Sequence, residues 1–335
     1  MKTVIIQYLK ETFLFNKIRI FLNRERKISL GKNYPEVIFY VIGHTDKVGG
    51  LFWIVNKVLM HLSYAEEHNY IPIVDFKNYA TQYQAEGLLH QENIWEYYFD
   101  QPTSYSLNDI ASAKNIVISK KAATPSEKHF MGHFYENEAK ILHFRRLFKK
   151  YIHLNIETQK YLEEVYNSII GNKKNIIGVL CRGTDYVTKR PKDHPIPPTI
   201  EEVIDKVLQY IKEYKADYVF LATEDENIKD KFVLKFGDIL LFNEQKRTSL
   251  SEVREGEYLS ETRNRTIVSK EDKYVSGLQY LTAIYILSKC QYLVATQCGG
   301  TKGALIMSDG YKSTYIFNKG LYLSLIHISE PTRRS

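Results

Sequence analysis

The chain is poor in cysteine, tryptophan and proline: its 335 residues include three Cys, two Trp and nine Pro. The cysteines, Cys181, Cys290 and Cys298, are odd in number and form no CxxC pair. That excludes a disulfide framework, argues against a structural zinc site, and points to a reducing, cytoplasmic setting. No apolar run reaches the roughly 20 residues needed to span a bilayer. Lys10, Glu11, Lys17 and Arg19 interrupt the N-terminal apolar stretch, which excludes a secretory signal. The phosphate-binding fingerprints GxGxxG and GxxxxGK[ST] are both missing, which argues against a nicotinamide dehydrogenase and a Walker-type nucleotidase. There is no DxD pair to hold a metal-bound diphosphate. His44, His61, His68 and His194 lack metal-ligand spacing, so no metal is expected.

What is present reads as globular: 44% hydrophobic, 13% aromatic and 25% charged residues, enough chain for two domains of about 100–200 residues. The net charge of +7 is unevenly placed. Residues 1–34 hold eight Lys/Arg against Glu11 and Glu25, and residues 323–335 hold Arg333 and Arg334 against Glu330, leaving residues 35–322 balanced. The body therefore carries no nucleic-acid footprint, and no nucleic-acid partner is expected. Residues 5–22 are amphipathic and basic. Ile5, Ile6, Leu9, Phe13, Ile18, Phe21 and Leu22 alternate with Lys10, Lys17 and Arg19, and Arg24, Arg26 and Lys27 follow. Two readings stay open: a helix lying on an anionic membrane surface, hence peripheral to the inner membrane, or a first helix packed on the body. The final LSLIHISEPTRRS (323–335) resembles the translation of a sequencing-library adapter, so it is set aside from fold reasoning.

The rest reads as an α/β chain. Short apolar runs predict strands at 37–42, 71–76, 115–119, 176–180, 218–222, 239–242, 292–295 and 314–317. Helical signals lie between them, at 51–68, 135–170, 200–214 (capped by Thr199), 225–236, 277–287 and 301–307. Residues 243–273 read as a long polar loop. The domains implied are 1–34, a basic leader; 35–172, a Rossmann-like domain; and 173–322, a second one, with 323–335 excluded. A break at 170–174 separates the halves.

Three strand ends carry chemistry. In GVLCRGTDY a buried strand runs into Arg182, Gly183, Thr184 and Asp185: a guanidinium suited to a phosphate and a glycine that lets backbone approach it. An ion pair closing a turn is the alternative. In YVFLATEDEN, Thr223, Glu224 and Asp225 end a strand and could equally form a plain N-cap. In YLVATQCGGTKG, Thr296, Gln297, Cys298, Gly299, Gly300 and Thr301 lead into a helix whose free amides suit an anion. Nothing near Cys298 supplies a base, so it reads as a packing residue rather than a nucleophile. The turn GHTDKVGG adds Gly49 and Gly50 before a helix, with His44 and Asp46 beside them.

In this order, CRGTDY, LATED and LSKCQYLVATQCGG resemble the donor-binding half of the GDP-fucose-dependent fucosyltransferases: the α-1,6, nodulation and protein O-fucosyltransferase group. ENIWEYYFDQP and VGGLF are similar to bacterial polysaccharide-locus relatives. The resemblance spans roughly 37–322. It implies a GT-B-like fold, two Rossmann-like domains with a cleft between them. It also implies an inverting transfer of fucose from GDP-fucose to a glycan or lipid-linked oligosaccharide acceptor, without metal or other cofactor. Arg182 then matches the arginine that stabilises the leaving diphosphate, with Gly183, Thr184 and Asp185 completing its motif and Gln297–Gly299 binding the same region. Three positions depart: Leu180 stands for a histidine, Gly183 for a second arginine, and Ala283 for an aspartate that reads guanine. Another nucleotide-sugar donor, or a non-catalytic binding relative, therefore stays open. As the base that deprotonates the acceptor, Asp46 is favoured, with His44, Asp193 and His194 as alternatives and a turn-forming aspartate as the bland reading.

Overall fold

The computed structural model describes residues 24–120, 124–182, 190–254, 257 and 259–322. The amphipathic stretch 5–22, the motif residues Gly183, Thr184 and Asp185, and the tail 323–335 lie outside the described residues. Two compact units make up the chain: Met1–Lys47, Ile54–Gly132 and Arg146–Asn155 in the first, and Val48–Trp53, His133–Arg145 and Ile156–Ser335 in the second. The 170–174 break of the sequence reading thus falls inside the second unit.

The first unit is built on a four-stranded sheet: β1 (Arg26–Ile28), β2 (Phe39–Ile42), β3 (Ile71–Val74) and β4 (Ile116–Ile118), in the order β1-β4-β2-β3. β2 is parallel to both β3 and β4, as a βαβ crossover through α1 (Leu51–Glu67) requires. Every residue of β2 is buried. Alternation sends Phe39 and Val41 to one face, where they meet Ile73, Ile110 and Ile116. Tyr40 belongs to the other face, and its hydroxyl lies 2.8 Å from His61 Nδ1 on α1. The edge strand β1 was not expected: it pairs antiparallel with β4, Lys27 opposite Val117, within the stretch read as a leader. A short helix, α2 (Leu107–Ile110), carries a Ser106/Asp109 capping box. The stretch 135–170, read as mainly helical, holds two helices, α3 (Glu138–Tyr151) and α4 (Ile156–Ile169).

The second unit holds a five-stranded, wholly parallel sheet: β5 (Ile176–Leu180), β6 (Tyr218–Ala222), β7 (Leu240–Leu241), β8 (Tyr292–Thr296) and β9 (Ser313–Phe317), in the order β7-β6-β5-β8-β9. On one face Ile177, Val179, Val219, Leu221 and Val294 pack with α5 (Ile200–Tyr214) and α6 (Glu226–Phe236), through Val203, Val207, Phe232 and Phe236. α5 begins where the sequence placed it, because Thr199 accepts from the Glu202 amide while the Glu202 carboxylate accepts from Thr199 N at 2.7 Å. The other face is covered by α8 (Lys270–Lys289). That helix approaches β5 so closely that a Cβ on Gly178 would stand 2.9 Å from Leu287 Cδ2 and 3.1 Å from Cys290 Cβ. The predicted loop 243–273 is corrected: it contains α7 (Leu259–Thr266), and α8 starts at Lys270 rather than at 277, capped by Ser269, whose hydroxyl accepts from the Asp272 amide. α9 (Gly299–Met307) follows β8. Among the described residues no helix is long and apolar enough to cross a membrane.

Candidate functional site

In the second unit the chain winds from β5 through β6 to β7 on one side, then returns to β8 and β9 on the other. The direction reverses between β5 and β8. There the loops leave the strand ends in opposite directions and open a crevice, the place where ligands bind in such sheets. A pocket lies at these carboxyl ends, lined by Leu180, Cys181 and Arg182 after β5, Ala222, Thr223 and Glu224 after β6, and Cys298 after β8. Tyr280, Ala283 and Ile284 of α8 and Gln245 from the loop after β7 complete it. It encloses about 460 Å³, open mouth included.

Arg182 is the pocket's cation. Its Nε lies 3.9 Å from Glu224 Oε1, with the two side chains 29% and 30% exposed. A pair this long, between side chains each about a third exposed, contributes only about 0–1 kcal/mol. Glu224 is thereby placed as one resting neighbour of the arginine. Asp225 is buried and caps α6, its Oδ1 accepting from Asn227 N at 2.9 Å and Ile228 N at 3.3 Å. The Thr223 hydroxyl accepts from Asp225 N at 3.3 Å. These three residues do as a group what the plain N-cap reading allowed, and Thr223 and Glu224 face the pocket as well.

At the other side of the crevice Cys298 is the N-cap of α9, in extended conformation and without a side-chain cap bond. Its carbonyl accepts from the Tyr135 hydroxyl at 2.8 Å and its Sγ lies 3.4 Å from Thr301 Oγ1. Gly299 and Gly300 form the first helical turn, where amides lack intrahelical partners and favour an anion. Gly300 is a glycine for space: a Cβ there would stand 2.7 Å from the Tyr280 hydroxyl and 3.1 Å from Leu180 Cδ1. Thr296 and Thr301 are buried and turned inward, Thr301 donating to the Thr296 carbonyl and Thr296 to the Leu180 carbonyl at 3.5 Å. Gln297 is half-buried beside them. The sequence missed Lys302, one residue further on. Burial, with Lys140 adding to it and Cys298 opposing, lowers its ammonium to about 8.

The first unit contributes a different cluster, in the loop after β2. Lys57 of α1 places Nζ 2.6 Å from Asp46 Oδ2 and 2.6 Å from His44 Nε2. Side-chain exposure is 8% for Lys57 and 9% for Asp46. Burial lowers the Lys57 ammonium, and Asp46 opposes that shift. Asp46 is thus an ion-paired, buried carboxylate rather than a simple turn residue, although its backbone also pairs with Ala80 at 2.8 Å. Gly49 and Gly50 lead into α1, the Gly50 carbonyl accepting from Trp53 N at 2.8 Å. Asp193 and His194 lie on a surface turn tied to the backbone of Tyr322. Among the described residues no group of three or more His, Cys, Asp or Glu could hold a metal ion.

Of the residues singled out in the sequence, Arg182, Thr223, Glu224 and Cys298 converge on one pocket, with Gly300 packed behind it. Gln245, Tyr280 and Lys57 were missed. Gln245 sits in the stretch read as a structureless loop, and a long loop was the one signal pointing towards it.

No protein-family model matches the chain, and no curated protein matches it. Among solved structures it is similar to a NodZ alpha-1,6-fucosyltransferase soaked with GDP-fucose, at 15% identity and a TM-score of 0.47, covering 81% of this chain and 93% of that one. It is also similar to the fucosyltransferase NodZ from Bradyrhizobium, at 16% identity and 0.45, covering 80% and 92%. A structure of POFUT1 in complex with GDP-fucose aligns at 10% identity and 0.46, covering 83% and 97%.

Proposed function

We propose that the chain is a glycosyltransferase that binds a nucleoside-diphosphate sugar in its second unit and transfers the sugar with inversion. The observation that carries this reading is the meeting of Arg182 with the glycine-started α9 in one pocket at the switch point of a parallel sheet. A guanidinium and a row of helix amides converging on one place suit a diphosphate, and they stabilise it most when it leaves carrying the bonding electron pair. That is electrostatic catalysis: the charge develops where donors are already held. The site needs no metal for this role, since both sources of positive potential belong to the protein.

The donor proposed is GDP-fucose, following the sequence resemblance, and the acceptor is a surface-polysaccharide glycan or a lipid-linked oligosaccharide reached at the membrane face. Asp46 is the proposed proton acceptor. Lys57 Nζ stands 2.6 Å from its Oδ2. Gly183, Thr184, Asp185 and Gln297 are proposed to complete the diphosphate cradle, with Gly49 and Gly50 on the acceptor side.

Arg182→Ala tests the core of this reading. Loss of one such donor costs on the order of 10²–10³ in rate, so donor hydrolysis or transfer by the variant should fall by that factor, with Arg182→Lys restoring only part of it. Wild-type turnover by Arg182→Ala would overturn the proposal. A thermal-shift series with GDP, UDP, CMP and dTDP tests the donor, since a ligand at 100 times its dissociation constant stabilises by about 2.7 kcal/mol. A shift with another nucleotide and none with GDP would move the reading to a different nucleotide sugar.

A further inference from the structure

The segment after β7, residues 243–248, is pinned on two sides. The Asn243 side chain donates to the Gln279 carbonyl of α8 at 3.0 Å. Thr248 N donates to the Glu224 carbonyl at 2.9 Å, and Glu226 N donates to the Thr248 carbonyl at 3.3 Å. Inside the segment, the buried Arg247 guanidinium donates to the Asn243 carbonyl at 3.1 Å and the Gln245 carbonyl at 3.5 Å. The result is a fixed wall of the pocket, and Gln245 is the residue it turns inward.

The orientation of the Gln245 amide is decided by its neighbour. Its Nε2 donates to the Thr223 backbone carbonyl, an acceptor with no proton to give. The flipped amide would set two oxygens face to face, so Oε1 must point the other way. Among the described residues Oε1 has no hydrogen-bond partner. Leu180, Ala222, Ala283 and Ile284 give the pocket its apolar wall, and Arg182, Thr223, Glu224 and Tyr280 give it polar groups beside Gln245. Arg182 stands two residues beyond β5, and Thr223 follows the adjacent β6. Adjacent strands lie about 4.8 Å apart, and Arg182 and Gln245 line one pocket beyond these strand ends. A nucleotide whose phosphates sit on Arg182 and α9 carries its base a ribose away, within the same pocket.

We propose that Gln245 is the residue that selects the donor's base. Its Oε1 accepts the ring imino N–H of a keto base, and it disfavours an amino base, whose corresponding ring nitrogen is itself an acceptor. This rests on the nucleotide-sugar reading and goes beyond it by naming the selecting atom. Guanine (N1–H) and uracil (N3–H) satisfy the rule, whereas adenine and cytosine do not.

Titration calorimetry on the full chain tests it, with GDP, IDP, ADP, UDP, CDP and inorganic pyrophosphate as ligands. In the wild type, IDP should bind like GDP, because hypoxanthine keeps N1–H. ADP should bind roughly tenfold more weakly than GDP, the loss of one hydrogen bond. Whichever of UDP and CDP binds measurably, UDP should be the tighter. Gln245→Met keeps the volume and removes the acceptor, so the GDP-to-ADP ratio should fall to within about threefold while pyrophosphate binding stays unchanged. The wild-type arm needs no variant to fold. Equal wild-type affinity for GDP and ADP, or a wild-type ratio in Gln245→Met, overturns the assignment to Gln245 and leaves the nucleotide-sugar reading standing. Binding of none of the nucleotides overturns both.

Discussion

Removing Lys57 alone should damage the first unit far more than removing it together with its partner. Lys57 and Asp46 meet at 2.6 Å with side chains 8% and 9% exposed. Both charges have therefore lost most of their water, and each depends on the other. Lys57→Met removes the ammonium that stands 2.6 Å from Asp46 Oδ2 while the carboxylate side chain keeps its 9% exposure. Breaking one side of a buried pair costs about 3–5 kcal/mol, against 0–1 kcal/mol for an exposed pair. Replacing both, Lys57→Met with Asp46→Leu, takes two desolvated charges out together. The double variant should recover to within about 2 kcal/mol of wild type. Urea unfolding read from tryptophan fluorescence separates the units, because Trp95 belongs to the first and Trp53 to the second. In a Trp53→Phe background the emission reports Trp95, 2% exposed in the first unit's core. A loss under about 1 kcal/mol for Lys57→Met, or a double variant worse than the single one, would refute the burial argument.

Two pH effects follow from other residues, beside the Arg182 and Gln245 tests given above. Lys302 releases its proton near 8 in the folded chain, below the ordinary 10.5, so between those values the unfolded chain holds more protons and stability rises with pH. Comparing wild type with Lys302→Met should show a rise across pH 8–10.5 that the variant lacks; parallel curves would refute it. Glu66 is held down to about 2 first by its hydrogen bonds to Arg146, then by Lys150 and against burial. Its contribution is complete above its ordinary 4.5 and is lost as pH falls through about 2. With Arg146 and Lys150 half exposed, Glu66→Gln should cost about 1–2 kcal/mol at pH 7, measured by thermal unfolding, and the difference should close below pH 2.

Much of the second unit was legible because its signals are local. Thr199 followed by Glu202 writes a capping box into four consecutive residues, and the apolar positions Val203, Val207 and Tyr210 repeat at helical spacing. β5, β6 and β8 are continuous apolar runs, as strands buried on both faces must be. The starts of helices escaped where polarity hid them. Lys270–Ser276 reads as loop by hydropathy, yet Ser269 with Glu271 and Asp272 supplies a cap and an acidic first turn. α7, LSETRNRT, has no apolar stripe at all.

By itself the sequence determined that strands and helices alternate, and that Arg182 and the glycines 299–300 stand at strand ends. Both are consequences of side-chain period and backbone freedom within a few residues. Only the tertiary structure decided which strand ends are neighbours. It decided that Arg26–Ile28, wholly exposed and unpatterned, is an edge strand held by backbone pairing with β4. It also turned a glutamine in a polar loop into a pocket wall, and put a helical lysine against an aspartate 11 residues before it. These are contacts between segments whose local preferences say nothing of one another. They form because burying one face of each element leaves few ways to satisfy the polar groups carried in with it.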